Sequence, residues 1–152
     1  MGNLDLPEIN FELPHPPTPM GLYETAGSAG NLVYSSGTTP RDPRYKGRLG
    51  ENITTIEGKA AAVKAAINLL AIFKEHLGSL DCIEKLVKMN VYIAATTNWE
   101  DHSKLADGAS EVIHKFLGER GKHARTAIGV SCLPGGTCVE IEAIVKISDR
   151  VL

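Results

Sequence analysis

Several features are missing from this chain of 152 residues, and each absence removes a class of function. There is no excess of positive charge: 16 Lys and Arg against 18 Asp and Glu leave a net charge of -2, which offers no broad electrostatic attraction to nucleic acid. There is no long uninterrupted apolar run, since the richest stretch, residues 60–73, is broken by Lys64 and Asn68; a membrane-spanning helix is not expected. No basic segment followed by an apolar core opens the chain, so no signal peptide is expected. Cysteine is scarce and odd in number: Cys82, Cys132 and Cys138 lack a metal-binding spacing and read as reduced thiols of a cytoplasmic protein. The five histidines (His15, His76, His102, His114, His123) show no metal-ligand spacing either. A phosphate-cradling glycine loop and a nucleophile elbow are both absent. These readings imply no metal and no cofactor.

What is present is the composition of one globular domain, 43% hydrophobic and 22% charged, at a length that buries a core of useful size. Residues 1–20 carry Pro7, Pro14, Pro16, Pro17 and Pro19, a density that forbids regular helix and central strand and predicts an extended arm ahead of a single domain over 21–152. Tyr23–Ala26 and Leu32–Ser36 are predicted as two short strands with Gly27–Asn31 as their turn. Thr54 and Glu57 form a capping-box pattern, and Ile56, Ala60, Val63, Ile67 and Leu70 recur at helical spacing, predicting a helix over Thr55–His76 that Gly78 ends. Ile83–Ala94 alternates as a strand with Val87, Met89, Val91 and Ile93 on its core face. A second helix is expected over Asp101–Leu117, capped by Asn98 and stopped by Gly118, with Leu105, Val112, Ile113 and Phe116 inward.

The stretch from Arg125 to Ile147 reads as two strands around the turn Leu133-Pro134-Gly135-Gly136. Joined as a hairpin, they would set position 129 opposite 140 and 127 opposite 142, so that Arg125, Glu140 and Glu142 share a face floored by Ala127 and Gly129. One guanidinium, two carboxylates and a shallow floor suit a small anionic molecule. The same spacing also fits a plain cross-strand ion pair between Arg125 and a glutamate. The element order β-β-α-β-α-β-β predicts an α+β fold: a mixed sheet with two helices on one face.

The C-terminal stretch resembles the signature of the RidA/YjgF family: Arg125, then Leu133-Pro134, then Val139-Glu140-Ile141-Glu142-Ala143-Ile144. Gly21-Leu22-Tyr23 resembles the family's N-terminal Gly-Pro-Tyr, and Ser36-Gly37-Thr38-Thr39-Pro40 its Ser-Gly-x-x-Pro. The resemblance implies a chorismate-mutase-like fold assembled as a homotrimer with clefts between subunits. It implies hydrolytic deamination of small 2-imino acids and enamines to 2-oxo acids and ammonia. It assigns Arg125 to the substrate carboxylate, Glu140 to water activation or proton transfer, and Tyr23, Ser36 and Ala127 to the substrate-binding wall, with Glu142 structural. The chain departs from the family pattern at Ala127, where many members have Cys, at His123, where Pro is usual, and at Gly129, where Glu is usual. These departures keep a second expectation open, a non-catalytic trimer that binds small carboxylates. RNA cleavage or translation inhibition, a third family property, gains no support from the charge balance.

Overall fold

The computed structural model describes residues 12–149. Its elements follow in the order β1 (Ala26–Ala29), β2 (Leu32–Ser35), α1 (Thr55–Leu77), β3 (Ile83–Ala94), α2 (His102–Leu117), β4 (Ala124–Val130) and β5 (Val139–Ile147). The strands make one sheet of order β1-β2-β5-β3-β4, in which β3 and β4 run parallel and the other neighbours antiparallel. With two helices buried against one face, this is the expected α+β architecture. Of the Pro-rich arm, only the part from Glu12 onward lies within the described residues; it has no regular element up to Pro19, and Leu13 packs on the core.

Local chemistry explains the boundaries. The Thr54 side chain accepts from the Glu57 N–H at 3.2 Å while the Glu57 carboxylate accepts from the Thr54 N–H at 2.8 Å, the reciprocal pair that starts α1. Gly78, at φ 81, closes it in the left-handed conformation. Ala61, Ala62, Ala65 and Ala66 are fully buried, and such short side chains bring α1 close to the sheet. The core face of the sheet is built from Met89, Val91 and Ile93 of β3 and Val139, Ile141 and Val145 of β5, all in one apolar cluster with Leu69, Leu70 and Phe73 of α1 and Leu105, Val112 and Ile113 of α2.

Four details differ from the sequence-based expectation. The first hairpin is shifted: Ala29 pairs with Leu32 across a two-residue turn led by Gly30 at φ 61, because a glycine at the first turn position lets the strands continue to the tip. Val87 is 37% exposed although its alternation places it in the core; the register shift between Leu86 and Lys88 turns Leu86 inward instead. The second helix begins at His102 with Asp101 at its cap and no side-chain capping bond, so Asn98 does not start it. The largest difference concerns the C-terminal hairpin, which does not form. β3, α2 and β4 make a β-α-β unit whose strands pair in parallel, leaving β4 at the sheet edge and β5 on the other side of β3. Arg125 stands beside Met89, not opposite Ile144, and Glu140 stands opposite Tyr92.

Candidate active site

This rearrangement splits the proposed site residues into two groups. Tyr23, Ser36 and Glu140 line one cavity of about 820 Å³, together with Met20, Gly37 and Thr137. Arg125 and Ala127 line a second concavity of about 480 Å³, with Glu100, His102, Ser103 and Gly129. No residue belongs to both.

In the first cavity, Glu140 projects from β5 on the face away from the helices and is half-buried. Burial, and secondarily the charge of Glu142, raises its pKa above the ordinary carboxylate value. Room for the carboxyl group exists because residue 37 has no side chain: a Cβ there would stand 2.3 Å from Glu140 Oε1. Glu142, two residues on, is already engaged, accepting from the Tyr92 hydroxyl at 2.5 Å and from Asn90 Nδ2 at 3.2 Å. That hydrogen bond, with burial, pushes the Tyr92 phenol up. Glu142 is thus tied to two β3 side chains, whereas among the described residues the Glu140 carboxyl has no side-chain hydrogen bond.

The other two members present complementary hydrogen-bonding ends. Ser36 donates its hydroxyl hydrogen to the Glu24 carbonyl at 2.5 Å, leaving the oxygen as an acceptor. The Tyr23 hydroxyl accepts from the Met20 N–H at 3.1 Å and keeps its own hydrogen to donate. On the wall beyond, Asp42 bridges Arg44 at 2.6 Å and Lys64 at 2.7 Å, and these cations hold its carboxyl well below the usual range.

Arg125 faces the helix side of β4. Its Nη1 donates to Asp107 Oδ1 at 2.9 Å and Ser110 Oγ at 3.0 Å, and its Nη2 to Ser103 Oγ at 2.9 Å and the Ser103 carbonyl at 3.2 Å. The ion-pair expectation is thus corrected in its partner: the carboxylate is Asp107 of α2, neither Glu140 nor Glu142. The physical reason is the parallel pairing of β4, which turns residues 125, 127 and 129 toward α2. Gly129 then has a packing role, since a Cβ there would meet His102 Nε2 at 2.9 Å; the imidazole, set edge-on to Trp99 at 4.7 Å, fills that space.

Sequence reasoning missed Asp107, Ser103, Ser110, His102 and Gly37 as parts of these sites. For α2 a signal existed: Ser103, Asp107 and Ser110 stand at helical spacing on one face, a polar stripe beside the buried Leu105, Ala106 and Ala109.

Residues 5–142 match a family model described as "YjgF/chorismate_mutase-like, putative endoribonuclease". The chain is 33% identical over 149 residues to Protein TCP17 of Trypanosoma cruzi, covering 95% of this chain and 93% of that one. It is 28% identical over 146 residues to a 2-iminobutanoate/2-iminopropanoate deaminase of Dermatophagoides farinae, covering 93% and 98%. Among solved structures, Atu1372 of Agrobacterium tumefaciens superposes with a TM-score of 0.80 at 36% identity, covering 82% of each chain.

Proposed function

The chain belongs to the RidA/YjgF family, and from that premise we propose that it hydrolyses small 2-imino acids and their enamine tautomers to 2-oxo acids and ammonia, in clefts between the subunits of a homotrimer. The observation that carries the reading is Glu140: a half-buried carboxyl with a raised pKa, held against the backbone at Gly37 in the cavity with Tyr23 and Ser36. In its ionised form Glu140 takes a proton from water as the water oxygen bonds to the imine carbon. The resulting carbinolamine receives that proton on nitrogen; the carboxylate so restored takes the carbinolamine hydroxyl proton as the C–N bond breaks, and ammonia leaves as the C=O forms. One carboxyl suits both steps best when its pKa lies nearer the working pH. The reaction needs no metal or organic cofactor.

The substrate carboxylate is assigned to Arg125, whose planar fork matches it. Arg125 and Glu140 of one chain lie on opposite faces of the sheet with β3 between their strands, so the arginine that completes a Glu140 cavity comes from a neighbouring copy. Tyr34 and Ile128, each 45% exposed, with Val87, supply apolar surface for such an assembly. Three unpaired cysteines fit a cytoplasmic setting. The assay is release of 2-oxobutanoate from enzymatically generated 2-iminobutanoate. Acceleration that disappears in Glu140→Gln supports the reading; a rate equal to spontaneous hydrolysis overturns it.

A second reading, a non-catalytic carboxylate-binding trimer, is favoured by one observation. Arg125 gives its terminal N–H groups to α2, so a ligand must exchange with serine contacts already made. Ligand-induced thermal shifts without acceleration would select it.

A further inference from the structure

We propose, resting on the reading of Arg125 as the carboxylate-binding group, that Ser110 and His123 are positioning residues for its guanidinium, and that protonating His123 loosens Arg125 from α2 toward the ligand. His123 Nδ1 lies 2.6 Å from the Gly121 carbonyl oxygen, which can only accept. In the neutral ring the proton therefore sits on Nδ1, and Nε2 is an acceptor. Nε2 lies 3.0 Å from Ser110 Oγ, so the serine hydroxyl donates to it. The same oxygen accepts from Arg125 Nη1 at 3.0 Å. Donation runs in one direction, from Arg125 to Ser110 to His123, and ends on a ring lone pair.

Protonating the ring reverses its last step. Nε2 becomes a donor, two cationic donors then aim at one hydroxyl oxygen, and the Ser110 hydrogen must turn to another acceptor, such as the backbone carbonyl one helical turn back. Ser110 is only 8% exposed, so solvent does little to relieve the conflict. Imidazolium and guanidinium also repel each other. Arg125 keeps Asp107 and Ser103, while its inner tie to Ser110 is weakened by the second cation on the same oxygen.

The charged and titratable groups around His123 are few. From α2, the His114 ring stands 5.6 Å away; from β4 there is Arg125; and the preceding turn carries the Glu119–Lys122 ion pair at 2.7 Å. Burial is the main cause that lowers the His123 pKa below its ordinary value; the Gly121 carbonyl opposes this, and His114 and Arg125 reinforce it. The ring is therefore neutral at pH 7 and gains its proton only at a pH below that of an ordinary histidine. Affinity for a carboxylate should rise as pH falls through that transition, and by reciprocity the ligand should raise the His123 pKa.

The experiment is calorimetric titration with 2-oxobutanoate from pH 8 to pH 5, run beside NMR of the His123 ring and the Arg125 Nε–H. About fivefold tighter binding below the ring's midpoint is expected, at the low end of typical couplings between sites. A Glu140→Gln variant, which lacks the other carboxyl that titrates near the ligand, should keep this step. Made in that Glu140→Gln background, Ser110→Ala should leave the ring titrating while the affinity step and the linked movement of the Arg125 resonance vanish, and His123→Gln should bind independently of pH. A step that persists in Ser110→Ala or His123→Gln overturns the proposal. Binding by Arg125→Lys equal to wild type at every pH would bring down the clamp reading and this proposal together. Arg125-dependent binding without a His123-linked step would bring down this proposal alone.

Discussion

Gly37→Ala tests the Glu140 geometry with the smallest possible change. The new methyl carbon would lie 2.3 Å from Glu140 Oε1, 2.9 Å from its Cδ and 3.1 Å from its Cγ. The end of a glutamate can move, so the carboxyl retreats by about 1 Å; a misplacement of that size at a reacting group lowers turnover by about 10²-fold. The fold should tolerate the change. Gly37 is not among the positive-φ glycines, so its backbone is one alanine adopts readily, and a displaced carboxyl gains solvent. A stability change under about 1 kcal/mol, or less than about 4 °C in Tm, is expected. The assay is initial-rate 2-oxobutanoate release at saturating substrate, paired with a thermal melt of the same preparation. Wild-type turnover in Gly37→Ala would refute the requirement for Glu140 in this position. Loss of activity that tracks a collapse in Tm would refute the argument that the side chain yields cheaply.

Arg125→Ala removes all four donations to α2, so it should melt lower than wild type by about 1–3 kcal/mol and, in its folded fraction, bind 2-oxobutanoate about 2–5 kcal/mol more weakly; titration calorimetry and denaturant melts on one sample separate the two losses. The pKa of Glu140 is raised on folding, so its protonated form is the one the fold favours: that contribution is present below the ordinary carboxylate pKa and is lost as pH rises through the raised value. Glu140→Gln should accordingly equal or exceed wild type in Tm at pH 8, with the difference closing in acid, while the acid limb of the wild-type rate profile lies higher than an ordinary carboxylate would place it. Ala127→Cys should change the rate by less than about tenfold, because the nucleophile is water; a gain on the order of 100-fold, ~2.7 kcal/mol, would show that a thiol matters. Burial pushes the Cys138 thiol up to about 11, so at pH 8 a thiol reagent followed by mass spectrometry should label exposed Cys132 well before Cys138.

Much of the fold was legible because its signals are local. The capping box at Thr54 and Glu57, the C-terminal glycines Gly78 and Gly118, and the alternation of Ile83–Ala94 each act within a few residues, and each marks a boundary or a strand face. Strand pairing is not local. Pro134–Gly136 does turn, with Gly135 and Gly136 at positive φ, but eight residues, Ser131 to Cys138, separate β4 from β5, too many for a tight hairpin. The β-α-β order of residues 83–130 carried the better clue, since a helix between two strands permits parallel pairing. Gly129 carries a packing role that the sequence did not signal, since it leaves room for the His102 ring, while Ala127 lines the concavity beside Arg125. The motifs singled out Arg125 and Glu140 as candidates, but that the two line separate concavities appears only once the strand order is known.

The division of the site is the account's central claim, and mixing two defective variants tests it most directly. Glu140→Gln lacks the proton-transfer group and Arg125→Lys lacks the fork, so each alone should be nearly inactive in 2-oxobutanoate release. If Glu140 of one copy works with Arg125 of its neighbour, subunit exchange in an equal mixture restores intact sites at one junction in four, and activity should return to about a quarter of wild type. A mixture whose exchange is confirmed by native mass spectrometry, yet which stays as inactive as its parents, would contradict a site shared between copies.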